Sequence, residues 1–176
     1  MAADRNTTFL DLFIEVTKAI TSSLDLHEVF DLITQKIPEI LNVDAATIRL
    51  LDASGKKLVL KAAHGLSQTY LNRGTIDTEE PVFKALKGEP IVIEDAMQDP
   101  RVKYPEATKQ EGIKSILVVP IPIRSKIYGI LRLLTKYSRS YNQDEIDFVT
   151  ALGEQCGIAV ENARIFNEQQ LSLIHI

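Results

Sequence analysis

The stretch "SILVVPIPIRSKIYGILRLLTK", Ser115 to Lys136, constrains the fold of this 176-residue chain more than any other. It is among the most apolar parts of the sequence, and three architectures compete for it. A membrane span needs about 20 nearly uncharged apolar residues. Here Lys114, Arg124, Lys126, Arg132 and Lys136 fall in or beside the run. A helix would have to absorb Pro120 and Pro122, each of which removes a backbone donor and clashes with the preceding turn. Two β-rich runs, "SILVVPIPI" and "IYGILRLLT", joined by "RSK", have the pattern of a hairpin. The prolines are two residues apart, so their nitrogens point the same way. That side of the strand is expected to lack a partner there.

Upstream the period is helical. Phe9, Phe13, Val16, Ile20 and Leu24 form one stripe, and Leu26, Val29, Phe30, Ile33, Ile37, Ile40 and Leu41 form a broader one. Asp25 is the expected cap of the second helix, and Pro38 is expected to disturb its last turns. The period then changes: runs at 45–51 and 57–63 flank "DASGK", whose Asp, Ser and Gly are turn formers. "GLSQTYLNRGTIDTEE" reads as a loop. "EPVFKALKG" reads as a short helix with Pro81 in its first turn and Gly88 at its stop, and "EPIVIED" as a short strand. Residues 95–112 have no strong period, and a segment of that length inside a compact domain is functional or partly helical. From the expected cap Asn142, "NQDEIDFVTALGEQCGIAVENARIFNEQQ" reads as one long helix with acids in its first turn. This order predicts an α+β domain: a mainly antiparallel sheet with helices segregated to one side.

With 45% hydrophobic residues the chain supports one domain with a real core. Its net charge of -4, with both signs interspersed, does not suit a nucleic-acid surface. The single cysteine, Cys156, excludes an intrachain disulfide and a multi-cysteine metal site, and the composition suits a reduced, cytoplasmic protein. The N-terminus has no secretion-signal pattern. His27, His64 and His175 are scattered without metal-ligand spacing. There is no Gly-rich phosphate loop and no Gly-x-Ser-x-Gly. Cys156 lies mid-helix on an apolar stripe, the setting of a small buried hydrophobe rather than a nucleophile. No catalytic residue and no metal site are expected. The ending "LSLIHI" is what the end of a common sequencing-library transposon encodes in one frame, so residues 171–176 are expected to be a non-native tail; an ordinary apolar tail is the alternative.

Several marks then occur in a specific order: "AATIRLLD…LVLKAAHGL", "DPRVKYPEATKQEGIKSILVVPI", "IYGILRLLT" and "DEIDFVTALGEQCGIAVENARIF". In this order the chain resembles a GAF domain, the small-molecule-sensing module of bacterial signalling proteins, from about Leu10 to Gln169. The resemblance implies a GAF/PAS-like twisted antiparallel sheet, terminal helices on one face and a loop-covered pocket on the other. Residues 1–170 would be one such domain with its signalling helices. Its function would be non-catalytic sensing in a two-component sensor kinase or a regulator, relayed through the terminal helices to a covalently linked effector outside this chain. A ligand-free dimerisation scaffold is the alternative. The ligand and any cofactor are unknown. Members that reduce methionine sulfoxide or attach bilins use loop cysteines, which are absent here. Members that bind cyclic nucleotides carry Asn-Lys, then Phe, then Asp-Glu. Here Thr135 replaces Asn, Lys136 matches, Tyr141 replaces Phe, and Asp144-Glu145 come one residue early. No cyclic nucleotide is assigned, although Lys136 and Asp144 could bridge strand and helix.

Alternation puts Thr47 and Arg49 on one strand face, and Tyr128, Ile130 and Arg132 on one face of another. If the family topology makes these strands neighbours, Arg49 and Arg132 share a face. They would bind an anionic ligand, or lock onto Glu94, Asp95 or Asp99, or stand solvated on an open sheet. The loop "EDAMQDPRVKYP" adds Met97, Val102 and Tyr104 as apolar walls and Asp95 and Arg101 as polar ones, and Asp99 could cap a short helix starting at Pro100. In the last helix Val149, Leu152, Cys156, Ala159, Ala163 and Phe166 recur at heptad-like steps. That stripe is either a homodimer seam or the face packed on its own sheet.

Overall fold

The computed structural model describes the backbone of residues 2–22 and 25–174 and the side chains of 8–22, 25–84 and 86–170. Its strands are β1 (Ala45–Leu51), β2 (Leu58–His64), β3 (Ile91–Ile93), β4 (Ser115–Ile123) and β5 (Lys126–Thr135). They form one sheet in the order β2-β1-β5-β4-β3, and every neighbouring pair is antiparallel. The apolar run of 115–136 is the β4–β5 hairpin. Ile123 pairs with Lys126 across a two-residue turn in which Arg124 takes a left-handed φ of 59°. β3 pairs with β4 only from Ile116 to Val118. Pro120 and Pro122 therefore fall where β4 has outrun its outer neighbour and needs no donor.

The helices are α1 (Ala2–Ser22), α2 (Leu26–Leu41), α3 (Gln68–Leu71), α4 (Pro81–Ala85), α5 (Pro105–Glu111) and α6 (Gln143–Ile174). α1, α2 and α6 cover one sheet face. Val16, Phe30, Ile33 and Ile37 pack there with Ile48, Leu117, Leu131 and Leu152, and each such burial contributes about 1.5–3 kcal/mol. A second apolar cluster fills the other face, where Ile76, Val82 and Ile113 meet Ile116, Val118 and Ile130.

Local chemistry sets the helix ends. Asp25 accepts from the His27 N–H, capping α2. The helix passes Pro38 unbroken and ends at Asn42, which is left-handed at φ 55°; Pro38 lies in the last turn, close to that stop. Asn142 and Glu145 form a reciprocal capping box for α6, at 2.8 and 3.0 Å. The Lys136–Asp144 bridge is not among the ion pairs of the described residues. Arg139 links the strand end to the helix instead, donating to Glu145 at 2.7 Å and to the Leu41 carbonyl at 2.9 Å. Two further expectations are corrected. α3 interrupts what reads as pure loop, because Ser67 caps it and Tyr70 is buried beneath it. No helix starts at Pro100: Asp99 closes a turn on the Arg101 N–H, and α5 begins at Pro105.

The heptad-like stripe of α6 faces inward. Val149, Leu152, Cys156 and Ala159 are all buried in the chain's own core, Ala163 is half-buried, and Phe166 at the end of the stripe is exposed. Close approach is enforced by glycine. A Cβ at Gly157 would overlap the Pro122 carbonyl oxygen, and one at Gly153 would sit 2.5 Å from that of Pro120. α1 runs parallel to α6, with Phe9 stacked on Phe148 at 4.3 Å and Gln155 donating to Thr17 Oγ1 at 2.6 Å. The tail 171–176 has no described side chains, and Leu24 and His175 lie outside the described residues.

Gly157→Ala is expected to destabilise the protein by about 3 kcal/mol in urea unfolding, through overpacking against β4. Gly55→Ala, with open space but φ +72°, should lose only about 1 kcal/mol. Burial pushes the Cys156 thiol up to about 12, so a thiol reagent at pH 8 should label it only after unfolding.

Candidate functional site

Register decides which side chains share the second sheet face. Thr47 pairs with Arg132 and Arg49 with Ile130 across β1–β5, and Val118 flanks Arg132 from β4. With a period of two, Thr47, Arg49, Ile130 and Arg132 all point away from α1, α2 and α6. Neither arginine is solvated: Arg49 is 6% exposed and Arg132 8%. Neither is held by the expected loop carboxylates. Arg49 Nη1 donates to the Leu58 carbonyl at 3.1 Å, and Arg132 Nε is buried without a hydrogen-bond partner. Asp99 is taken by Arg101 at 2.7 Å, whose hydrogen bond holds the Asp99 carboxyl below its usual range. Asp95 accepts from the Met97 N–H.

A cavity of about 10 Å³ lies over Arg132, room for about one water molecule. Its wall includes Arg73, Glu80, Arg101, Val102 and Tyr104. The Arg73 guanidinium sits 4.1 Å from the Tyr70 ring centre and 5.9 Å from that of Tyr104, and Nη1 donates to the Tyr70 carbonyl. Tyr104 Oη donates to the Thr75 carbonyl at 2.6 Å. This close cover needs Gly74, where a Cβ would lie 2.5 Å from the Tyr104 ring. Ser67 ties α3 to α5 by donating its N–H and hydroxyl to Glu111 at 2.8 and 2.6 Å.

The electrostatics are lopsided. Burial, then repulsion from Arg73 and Arg132, pushes the Arg49 guanidinium down to about 10. Burial and Arg132 likewise lower Arg73. Glu80, 7% exposed, is the one carboxylate on the cavity wall, and its attraction opposes the shift in both arginines. Lys103 and Arg101 have acids of their own, Asp77 at 3.9 Å and Asp99 at 2.7 Å.

Of the expected site residues, Arg101, Val102, Tyr104 and Arg132 reach the wall, and Arg49 lies beside them on the same face. Asp95 and Met97 do not: Asp95 is exposed and caps its own turn, and Met97 is 40% exposed. Tyr128 is displaced by a bulge. Gly129 pairs with Ile121 and Ile127 with Pro122, leaving Tyr128 as the unpaired extra residue. It is half-buried and lies on the side of Arg164 of α6. Sequence reasoning missed Tyr70, Arg73 and Glu80. The available signal was the three-residue spacing of Tyr70 and Arg73 after the cap Ser67, too short a run to show a period. Among the described residues no group of three or more His, Cys, Asp or Glu could hold a metal ion.

Three guanidinium groups facing one carboxylate should destabilise the fold. Arg132→Met is expected to raise stability by about 1 kcal/mol, about 3 °C in Tm for a domain of this size, measured by calorimetry in an anion-poor buffer.

Comparison with known proteins agrees with this architecture. Residues 25–160 match the family model described as GAF domain. A protein of Escherichia coli (strain K12) described as "Phosphoenolpyruvate-dependent phosphotransferase system" is 25% identical over 162 residues, 91% of this chain and 21% of that protein. The chain thus spans about a fifth of the length of the curated relatives it matches along most of its own length. The GAF domain of a phosphoenolpyruvate-protein phosphotransferase from Coxiella burnetii superposes with a TM-score of 0.77, 22% identity, and coverage of 92% of this chain and 98% of that one. A domain of a putative two-component sensor histidine kinase from Sinorhizobium meliloti 1021 gives 0.69 at 24% identity, covering 81% and 95%. At these identities the structures speak for the fold alone. With the family model spanning most of the chain, and the five-stranded antiparallel sheet between its two helical layers, this chain belongs to the GAF domain family.

Proposed function

We propose that this chain is a non-catalytic, small-molecule-sensing regulatory domain of a cytoplasmic bacterial signalling protein, of two-component or related type. A ligand would bind under α3, α4 and α5, and its state would pass through the sheet to α1 and α6 and on to a covalently linked effector. One observation carries this reading: Arg132 is buried on the second sheet face with its Nε unpartnered, beside a cavity. A face evolved for stability alone would hold apolar residues there. Convergent polar groups in a concavity are instead the usual make-up of a ligand site. Arg49, Arg101, Val102, Tyr104 and Arg132 are the binding residues in this reading.

The second reading, a ligand-free dimerisation scaffold, draws on two observations. The cavity has room for only about one water, and Leu10, Ile14, Ile158, Ile165 and Phe166 are exposed on the two parallel terminal helices. Those residues also offer the sensing reading its homodimer contact.

Native mass spectrometry of the protein as purified from cells separates the readings. Sensing is expected to give a dimer that carries a small molecule, and the scaffold a bare dimer. A bare monomer whose Tm also ignores a panel of metabolites would defeat both.

A further inference from the structure

The cavity's charge is unfinished. Once Arg101 and Lys103 are set against Asp99 and Asp77, Glu80 is the one carboxylate that the described wall offers to Arg73 and Arg132 and to Arg49 beside them, so positive charge is in excess by two. Burying charge without a partner is unfavourable. Arg132 is more than nine-tenths buried, and its Nε donor has nothing to bond to. The apolar side chains of Ile116, Ile130 and Val82 in the wall weaken the screening of these groups. Guanidinium groups are suited to planar, two-point recognition of carboxylate or phosphate oxygens.

We propose that this cavity is a site for a small dianion, a phosphate monoester or a dicarboxylate, held by Arg73 and Arg132 with Arg49 behind them, and that Glu80 is a resident counter-ion with which the ligand competes. The proposal rests on the sensing reading and gives it a ligand class. Glu80 sits just before α4, its N–H bonded to the Asp77 carbonyl and its own carbonyl receiving the Lys84 N–H. An incoming dianion would repel this one acidic side chain and push its segment off the cavity. Arg73 sits between the two tyrosine rings of the cover, so a ligand that draws it inward loosens the contact between α3 and Tyr104. Ligand charge is thereby coupled to movement of the cover, which must shift to admit a dianion because the cavity of about 10 Å³ has room for about one water.

The test uses the folded 176-residue chain with sodium phosphate at pH 8 and sodium succinate as probes, at ionic strength fixed with sodium chloride. Binding is read by thermal shift and by titration calorimetry. At least one dianion should raise Tm in a saturable way that chloride does not. Arg73→Gln and Arg132→Gln should weaken binding at least tenfold, and Glu80→Gln should tighten it at least threefold. Response to phosphate alone assigns a phosphate group, to succinate alone a dicarboxylate, and to both a site that reads charge. Circular dichroism establishes that each variant is folded; Arg73, half-buried in the cover, serves if Arg132→Gln is not. The proposal is overturned if neither dianion exceeds chloride, or if Arg73→Gln binds as the wild type does. A neutral molecule retained from cells that still binds Arg132→Gln would sink the dianion while leaving the sensing reading intact. Loss of both the dianion response and any retained molecule would sink the two together.

Discussion

The placement of β5 between β1 and β4 divides this molecule into two unlike halves. Its two antiparallel ladders set Thr47, Arg132 and Val118 side by side, with Leu131 and Leu133 turned to the opposite face. A slip of one residue in either ladder would send the arginine into the helix-covered core and a leucine into the cavity. The register is therefore held by the difference in polarity between the faces. The helix side of the sheet is lined by apolar side chains, and the other side carries Arg49 and Arg132 buried under α3, α4 and α5, where the loss of water makes their charge costly.

The two halves are held with different firmness. On the helix side α6 lies against the backbone of β4 with no side chain between, at Gly153 and Gly157, and Arg139 joins the start of α6 to the end of α2. On the cavity side the cover hangs on a few polar ties, Ser67 to Glu111 and Tyr104 to Thr75, above arginines that repel each other. Elements held by a few exposed polar ties open more easily than elements packed through buried apolar contacts. The same strands serve both halves: residues beneath the cover alternate along β4 and β5 with residues packed toward the helices.

Much of the fold was legible because periodicity and punctuation are local. Pro120 and Pro122 forbade a helix, "RSK" marked the turn, and the boundaries of β1 emerged at 45–51. The Asp25 and Asn142 caps were readable from residue type and position. Family resemblance supplied what periodicity could not, that β1 and β5 are neighbours although about eighty residues separate them. The site was legible only in part. Arg132 and Arg49 stood out as charges in apolar strands. Arg73 and Glu80 lay in polar segments where a charged residue is ordinary, and Tyr128 was misplaced because a bulge leaves no mark on a single strand.

The sequence by itself determined the elements, their antiparallel hairpins, the segregation of helices and strands, and the burial of Cys156, because each follows from side-chain spacing over a few residues. Only the tertiary structure decided that the long-helix stripe faces its own sheet, that Arg139 rather than Lys136 secures the helix start, and that three arginines converge on one carboxylate. The physical reason is common to all three. A residue's polarity says whether it wants a partner, but which partner it gets depends on backbone positions tens of residues away, set by packing and strand register.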